Sequence, residues 1–180
     1  MLAIETKSLV LRPLSNEDIS QRYVDWLNDP EVNRFLETRH SIQTIDSCAT
    51  FIKSCNSDPN SHLFGVFLKS TNQHIGNAKL GFINTLYNRG QVSLFIGEKS
   101  EWGKGLSTEI VQAITQHGFE NLNLHRIEAG CYESNLASLR VFLKSGYTVD
   151  GFLRDHVIHH DQYEGCFLLS ILKHEFKPLI

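Results

Sequence analysis

In the stretch SEWGKGLSTE, residues 100–109, Gly103 and Gly105 flank Lys104 just ahead of a segment with helical periodicity. Bare backbone N–H groups at a strand-to-helix turn, with the positive end of the helix dipole behind them, attract a phosphate or another anion. Two common phosphate loops fail on spacing. A nucleotide-hydrolase loop needs a glycine five residues before its glycine-lysine pair and a hydroxyl residue after the lysine; here Gly97 lies six before Gly103, and Gly105 follows Lys104. A dinucleotide fingerprint needs a third glycine where Thr108 stands. A pyrophosphate cradle and a plain tight turn both remain open for Gly103 and Gly105.

A second group of residues has binding chemistry. WLNDPEVNRFLETRH places Arg34, Glu37, Arg39 and His40 close together, and GFLRDHVIHH supplies Arg154 and His156. Guanidinium forks match phosphate oxygens, so Arg39, His40, Arg154 and His156 suit an anionic substrate such as the diphosphate of a nucleotide sugar. A solvated helix end plus a polar hairpin is the competing reading. His156, His159 and His160 raise the question of a metal, but they crowd a turn beside Asp161 with no second ligand cluster elsewhere. A surface hairpin is favoured, and no metal is expected.

The elements that must position these residues follow from hydrophobic period. SLVLRPL alternates as a strand; SNEDISQRYVDWLND and TIDSCATFIKSC read as helices; HLFGVFLK, HIGNAKLGFI and GQVSLFIG read as three strands joined by hairpins. A helix from Leu106, a strand LHRIEAGCY, a helix NLASLRVFLKSG closed by Gly146, and two final strands complete the order. Ser15, three residues before Asp18, marks the start of the first helix. Alternating elements in the second half argue for one mixed sheet with helices on its faces.

Composition narrows the function further. A chain of 180 residues with 41% hydrophobic composition buries a real core, and a formal charge of −3 without a basic stripe argues against nucleic acid. Glu5 and Lys7 interrupt the opening where a secretory signal needs an apolar run, and no later run approaches a bilayer span, so a cytoplasmic protein without membrane partners is expected. Cys48, Cys55, Cys131 and Cys166 are scattered and read as buried thiols.

WGKGLSTEIVQAITQHGF, taken with ESNLASLRVFLKSGYTVDGFLRD, resembles the GNAT superfamily of acetyl-CoA-dependent N-acetyltransferases over nearly the whole chain. The nearest subgroup looks like the ribosomal-protein N-terminal acetyltransferases. WLNDPEVNRFLETRH looks like acetyltransferases of bacterial surface-polysaccharide pathways, which acylate nucleotide-linked amino sugars. The resemblance implies an α+β GNAT fold as one domain over residues 1–180, with a mixed central sheet of about seven strands flanked by about four helices. It implies direct transfer of acetyl from acetyl-CoA to a primary amine, without a metal. The acceptor is expected to be a nucleotide sugar, with a protein N-terminus as the competing choice, and a homodimer is compatible with either.

The same resemblance distributes roles. Trp102, Gly103, Lys104, Gly105, Leu106, Ser107 and Thr108 would hold the pyrophosphate, although Trp102 and Ser107 depart from the general pattern by identity. Main-chain groups of Leu94, Phe95, Ile96 and Gly97 would line the pantetheine, and Asn135 would contact its arm, with Ser138 one helical turn on. Phe142 stands where many members carry a tyrosine that protonates the departing thiolate. A free thiol has a pKa near 8.5, so coenzyme A leaves tolerably without that acid, and any acid role falls to Ser138 or water. Glu128, two residues before Gly130 on one strand face, is the expected general base, with a surface glutamate as the competing reading and Glu98 as a second candidate. The missing tyrosine also leaves open a catalytically weak acyl-CoA-binding module.

Overall fold

Period-two alternation decides the first long strand: Leu9 and Leu11 of LVLRP are fully buried while Val10 between them and Arg12 after them are half-buried. The computed structural model describes residues 3–178. Its strands are β1 (Ile4–Glu5), β2 (Leu9–Pro13), β3 (His62–Leu68), β4 (His74–Asn84), β5 (Arg89–Ile96), β6 (Arg126–Tyr132), β7 (Thr148–His159) and β8 (Gln162–Leu172). They form one sheet in the order β1-β2-β3-β4-β5-β6-β8-β7. All neighbours are antiparallel except β5 and β6. The helices are α1 (Gln21–Asn28), α2 (Pro30–Asn33), α3 (Ile45–Ser57), α4 (Leu106–Glu120) and α5 (Leu136–Lys144).

The parallel pair is short. Arg89, Gly90 and Gln91 of β5 face Arg126, Ile127 and Glu128 of β6, and the ladder ends there. Beyond it β5 follows β4 to Ile96 while β6 follows β8 to Tyr132. A wedge opens between them, and the facing edges of residues 92–96 and 129–132 have no strand partner.

Each face of the sheet has its own core. On one, Ile110, Val111 and Ile114 of α4 bury against Leu80, Val92, Ile127 and Ala129, with Phe142 of α5 alongside. On the other, Tyr23, Trp26 and Leu27 of α1 meet Cys48, Ile52 and Cys55, a helical stripe on α3, with Phe95 packed against them. Full burial of each such side chain is worth about 1.5–3 kcal/mol, and the two cores clamp β5 from both sides. All four cysteines are buried free thiols. Among the described residues no helix is long and apolar enough to cross a membrane.

The mixed sheet and its flanking helices match the expected architecture closely, with local differences that have physical causes. β1 has two residues, too few for any period to show. Ser15 and Asp18 open a 3₁₀ turn and not the first helix, because the Asp18 carboxylate is gripped by the Arg12 guanidinium at 2.6 and 3.0 Å. α1 starts at Ser20, whose hydroxyl accepts the Tyr23 N–H at 3.2 Å. Asp29 then caps the four-residue α2, with Pro30 at its first position.

One core feature makes stability depend on pH. Nδ1 of His62 and Nε2 of His117 lie 3.1 Å apart, and Nδ1 of His117 lies 3.1 Å from Asn121 Oδ1. Burial pushes both imidazoles below the usual histidine pKa, and for His62 the nearby His117 adds to the effect. The unfolded chain therefore binds protons that the folded chain refuses. This contribution is fully present above pH about 6.5 and is lost as pH falls below it. Melting temperature is expected to drop on acidification from about pH 7 to 5, and His62→Gln to flatten the slope in scanning calorimetry. Identical slopes for the two proteins would remove the pair as the cause.

Candidate active site

Gly103 and Gly105 adopt φ of 76° and 82°, the left-handed region that side chains resist. A Cβ built on either would meet nothing within 4 Å, so open space, not crowding, borders the loop. Gly105 is the residue that starts α4, and it brings no capping side chain. The first N–H groups of that helix therefore lack a side-chain acceptor within the loop. Trp102 has a structural reason: its Nε1–H donates to Ile96 O at 2.8 Å, tying the loop to the end of β5. From this turn a cleft of about 820 Å³ runs through the β5–β6 wedge to the face covered by α2. Trp102, Gly103, Gly105, Leu106, Ser107 and Thr108 line its first part; Leu94, Phe95, Ile96, Asn135, Ser138 and Phe142 line the middle. Asn135 caps α5 by accepting the Ser138 N–H at 3.2 Å.

Arg34, Phe35, Glu37, Tyr132 and His156 line the far end. The Tyr132 hydroxyl donates a short bond to Glu37 Oε1. That bond, ahead of Arg39 and His40, holds the Glu37 carboxyl below the usual carboxylate range. Burial, with Glu37 second, pushes the Tyr132 phenol up to about 12. Arg39 braces this end, donating to Leu36 O at 2.9 Å and to Ile158 O at 3.3 Å. The acidic residues of the cleft are answered: Glu31 by Lys99 at 2.6 Å, Glu101 by Lys104 at 2.9 Å, and Glu37 by Tyr132. Four cations of the lining, Arg34, Lys79, Arg140 and Lys144, are not. Among the described residues none of them has a carboxylate within 4.0 Å; Arg34 lies over Phe35, and Lys79 over Phe51 and Phe82.

The family model described as the acetyltransferase (GNAT) domain matches residues 8–148. The chain belongs to the GNAT acetyltransferases. An N-acetyltransferase of Bacillus licheniformis, p20, is 26% identical over 98% of this chain and 99% of that protein. The spermidine N(1)-acetyltransferase of Escherichia coli K12 is 26% identical over 94% of this chain and 88% of that one. The fold is shared with a crystal structure of spermidine N-acetyltransferase from Vibrio cholerae in complex with CoA and spermine, at a TM-score of 0.85, with 19% identity over 94% of this chain and 98% of that chain.

In this GNAT enzyme most residues expected around the donor do line one cleft. Others do not. Gly97 is absent from the lining: a Cβ there would lie 2.1 Å from Trp26, so glycine admits the indole of α1. Lys104 turns out to Glu101. His40, with its side chain 60% exposed, lies 3.7 Å from Glu37 and off the cleft wall. Arg39 acts as a brace, and Arg154 lines a separate open cavity with Phe152, Asp155 and Tyr163, where the β7 bulge turns it outward. His156 touches both cavities.

Glu128, the expected base, is also off the wall. Its carboxylate is held by Arg126 Nε at 2.9 Å and Arg89 at 3.3 Å, at the closed end of the wedge. Glu128→Gln is expected to leave kcat within about twofold, in line with exposed ion pairs that contribute little, while removing the Arg126 and Arg89 contacts. A large loss in a coenzyme A release assay would restore Glu128 as a reacting group. Sequence reasoning missed Tyr132, which closes the strand RIEAGCY on the face of Gly130, and also Phe35 and Lys79.

Proposed function

We propose that this GNAT enzyme transfers acetyl from acetyl-CoA directly to the primary amine of a small anionic acceptor, a nucleotide-linked amino sugar. One observation carries the reading: a single cleft joins the uncapped glycine turn to an end where carboxylates are answered and cations are not. Main-chain N–H groups of residues 103–107 suit the pyrophosphate, and the unpartnered edge of Leu94–Ile96 suits the pantetheine amides. Asn135 and Ser138 flank the arm from α5. The neutral amine nitrogen attacks the thioester carbonyl carbon, the C–S bond breaks with coenzyme A leaving as thiolate, and the nitrogen, now cationic, gives its second proton to solvent. The buried, hydroxyl-free Phe142 supplies no proton to it, and the thiol's own acidity makes one dispensable. Glu37, exposed at the far end, receives the acceptor's ammonium and passes its proton to solvent.

Relatives named for spermidine raise a polycation as the other acceptor. A polycation prefers several free carboxylates, whereas this cleft offers an amine one carboxylate, Glu37, and, among the described residues, leaves Arg34, Lys79, Arg140 and Lys144 without a carboxylate partner. The test follows coenzyme A release with UDP-linked amino sugars, spermidine and peptides with free N-termini. The amino sugar is expected to turn over, and Arg34→Ala to raise its KM about tenfold, as loss of a charged hydrogen bond does. Preference for spermidine or a peptide would overturn the anionic acceptor. Coenzyme A binding with no turnover on any amine would overturn the enzyme reading for the site.

A further inference from the structure

We infer that Glu164 and His159 form a positioning couple that sets the acceptor wall against the donor motif. The inference rests on the cleft reading above. Nδ1 of His159 lies 2.8 Å from Glu164 Oε2, and the other oxygen of the same carboxylate accepts the backbone N–H of Ser134. The bonds from Ser134 and His159 outweigh burial and hold the Glu164 carboxyl below the usual range, so it is an anion with two donors. Nδ1 must then donate to that carboxylate, and a proton on Nε2 would find no acceptor. Nε2 is buried without a hydrogen-bond partner, on a side chain only 9% exposed.

A polar ring in that place has a consequence for the cleft. The His159 ring lies 5.2 Å from Phe35 and 5.7 Å from Tyr132, and Phe35 meets Tyr132 edge-on at 5.8 Å. These rings fix the side of Tyr132 whose hydroxyl reaches Glu37. On the other arm, Ser134 immediately precedes Asn135, the cap of α5 that lines the donor part of the cleft. One carboxylate thus ties the β7–β8 hairpin to both substrates' walls. Because Nε2 is sealed from the cleft, His159 acts through Tyr132 and Phe35 and is not itself a reacting group. Glu164 fixes its tautomer, since the other tautomer would bury an N–H with no acceptor.

Two variants separate the arms. His159→Phe keeps a ring and removes the Nδ1–H; Glu164→Ala releases both His159 and Ser134. With a UDP-linked amino sugar as probe, His159→Phe is expected to raise the acceptor KM about tenfold with the Kd for coenzyme A unchanged. His159→Asn, which keeps an N–H near the Nδ1 position, restores most of the loss. Glu164→Ala weakens coenzyme A as well. An unchanged acceptor KM in His159→Phe, or equal losses for both substrates that Asn fails to repair, would overturn the couple. If the wild type acetylates no UDP-linked amino sugar, the acceptor assignment falls by itself, and amide hydrogen exchange decides the couple. Residues 35–40 and Tyr132 must then exchange faster in His159→Phe with Ser134, Asn135 and α4 unchanged, Ser134 must follow only in Glu164→Ala, and unaltered exchange at residues 35–40 and Tyr132 overturns it.

Discussion

Gly105→Val is expected to raise the Kd for coenzyme A by at least about a hundredfold while the enzyme still folds. Two effects add. The residue sits at φ 82°, where an ordinary side chain is strained by about 1–2 kcal/mol and a β-branched one by more. The valine methyls would also occupy the empty space in front of the loop, where no protein atom lies within 4 Å of a Cβ. Gly105→Asn separates these effects, because asparagine tolerates the left-handed region yet still fills the space. If asparagine loses nearly as much affinity as valine, the ligand occupies the space; if it binds as the wild type does, the loss is backbone strain. Isothermal titration of both variants with coenzyme A, beside their melting temperatures, makes the comparison. Unaltered affinity in the valine variant would mean that the pyrophosphate lies elsewhere.

The glycine-turn half of this cleft was legible because its information is local. The Gly103–Thr108 turn, the period of α4 and the Asn135 cap each lie within a few consecutive residues, where spacing and turn chemistry speak directly. The strands were legible for the same reason, and β1 and α2 were missed because two and four residues are too short for a period. The acceptor half was not legible. Glu128 shares a strand face with Gly130, as alternation requires, but whether that face opens onto a cleft depends on where the β5–β6 ladder stops. It stops at Glu128, which leaves that carboxylate with Arg89 and Arg126 and the wedge beyond it. Glu37 and Tyr132 are 95 residues apart in sequence, and nothing local pairs them. His159 and Glu164 are only five apart, yet they meet through the hairpin turn at His160 and Asp161, both with positive φ. Gly97, grouped by resemblance with Leu94–Ile96, lies outside the cleft lining, and what its missing Cβ admits is the indole of Trp26.

Replacing Glu37 tests the acceptor half most directly. Glu37→Gln is expected to lower kcat/KM for the amine about 10²-fold, the low end of what a positioned proton acceptor contributes. The amide keeps the size and can still accept the Tyr132 hydrogen bond, but it has no charge to attract an ammonium and no site for its proton. The pH dependence carries the decisive sign. Tyr132, followed by Arg39, holds the Glu37 carboxyl below the usual range, so in the wild type it stays ionised through neutral pH and sets no limb there. The Gln variant depends instead on acceptor that is already neutral, so its rate must climb tenfold per pH unit until the acceptor's own pKa is reached. Its deficit relative to the wild type therefore shrinks as pH rises. Tyr132→Phe is expected to lose less, because the carboxylate survives and only its aim is relaxed. Coenzyme A release measured from about pH 6 to 9 with the three proteins resolves these outcomes. A Gln variant with wild-type kcat/KM and an unshifted profile would remove Glu37 from the reaction, leaving solvent to take the proton.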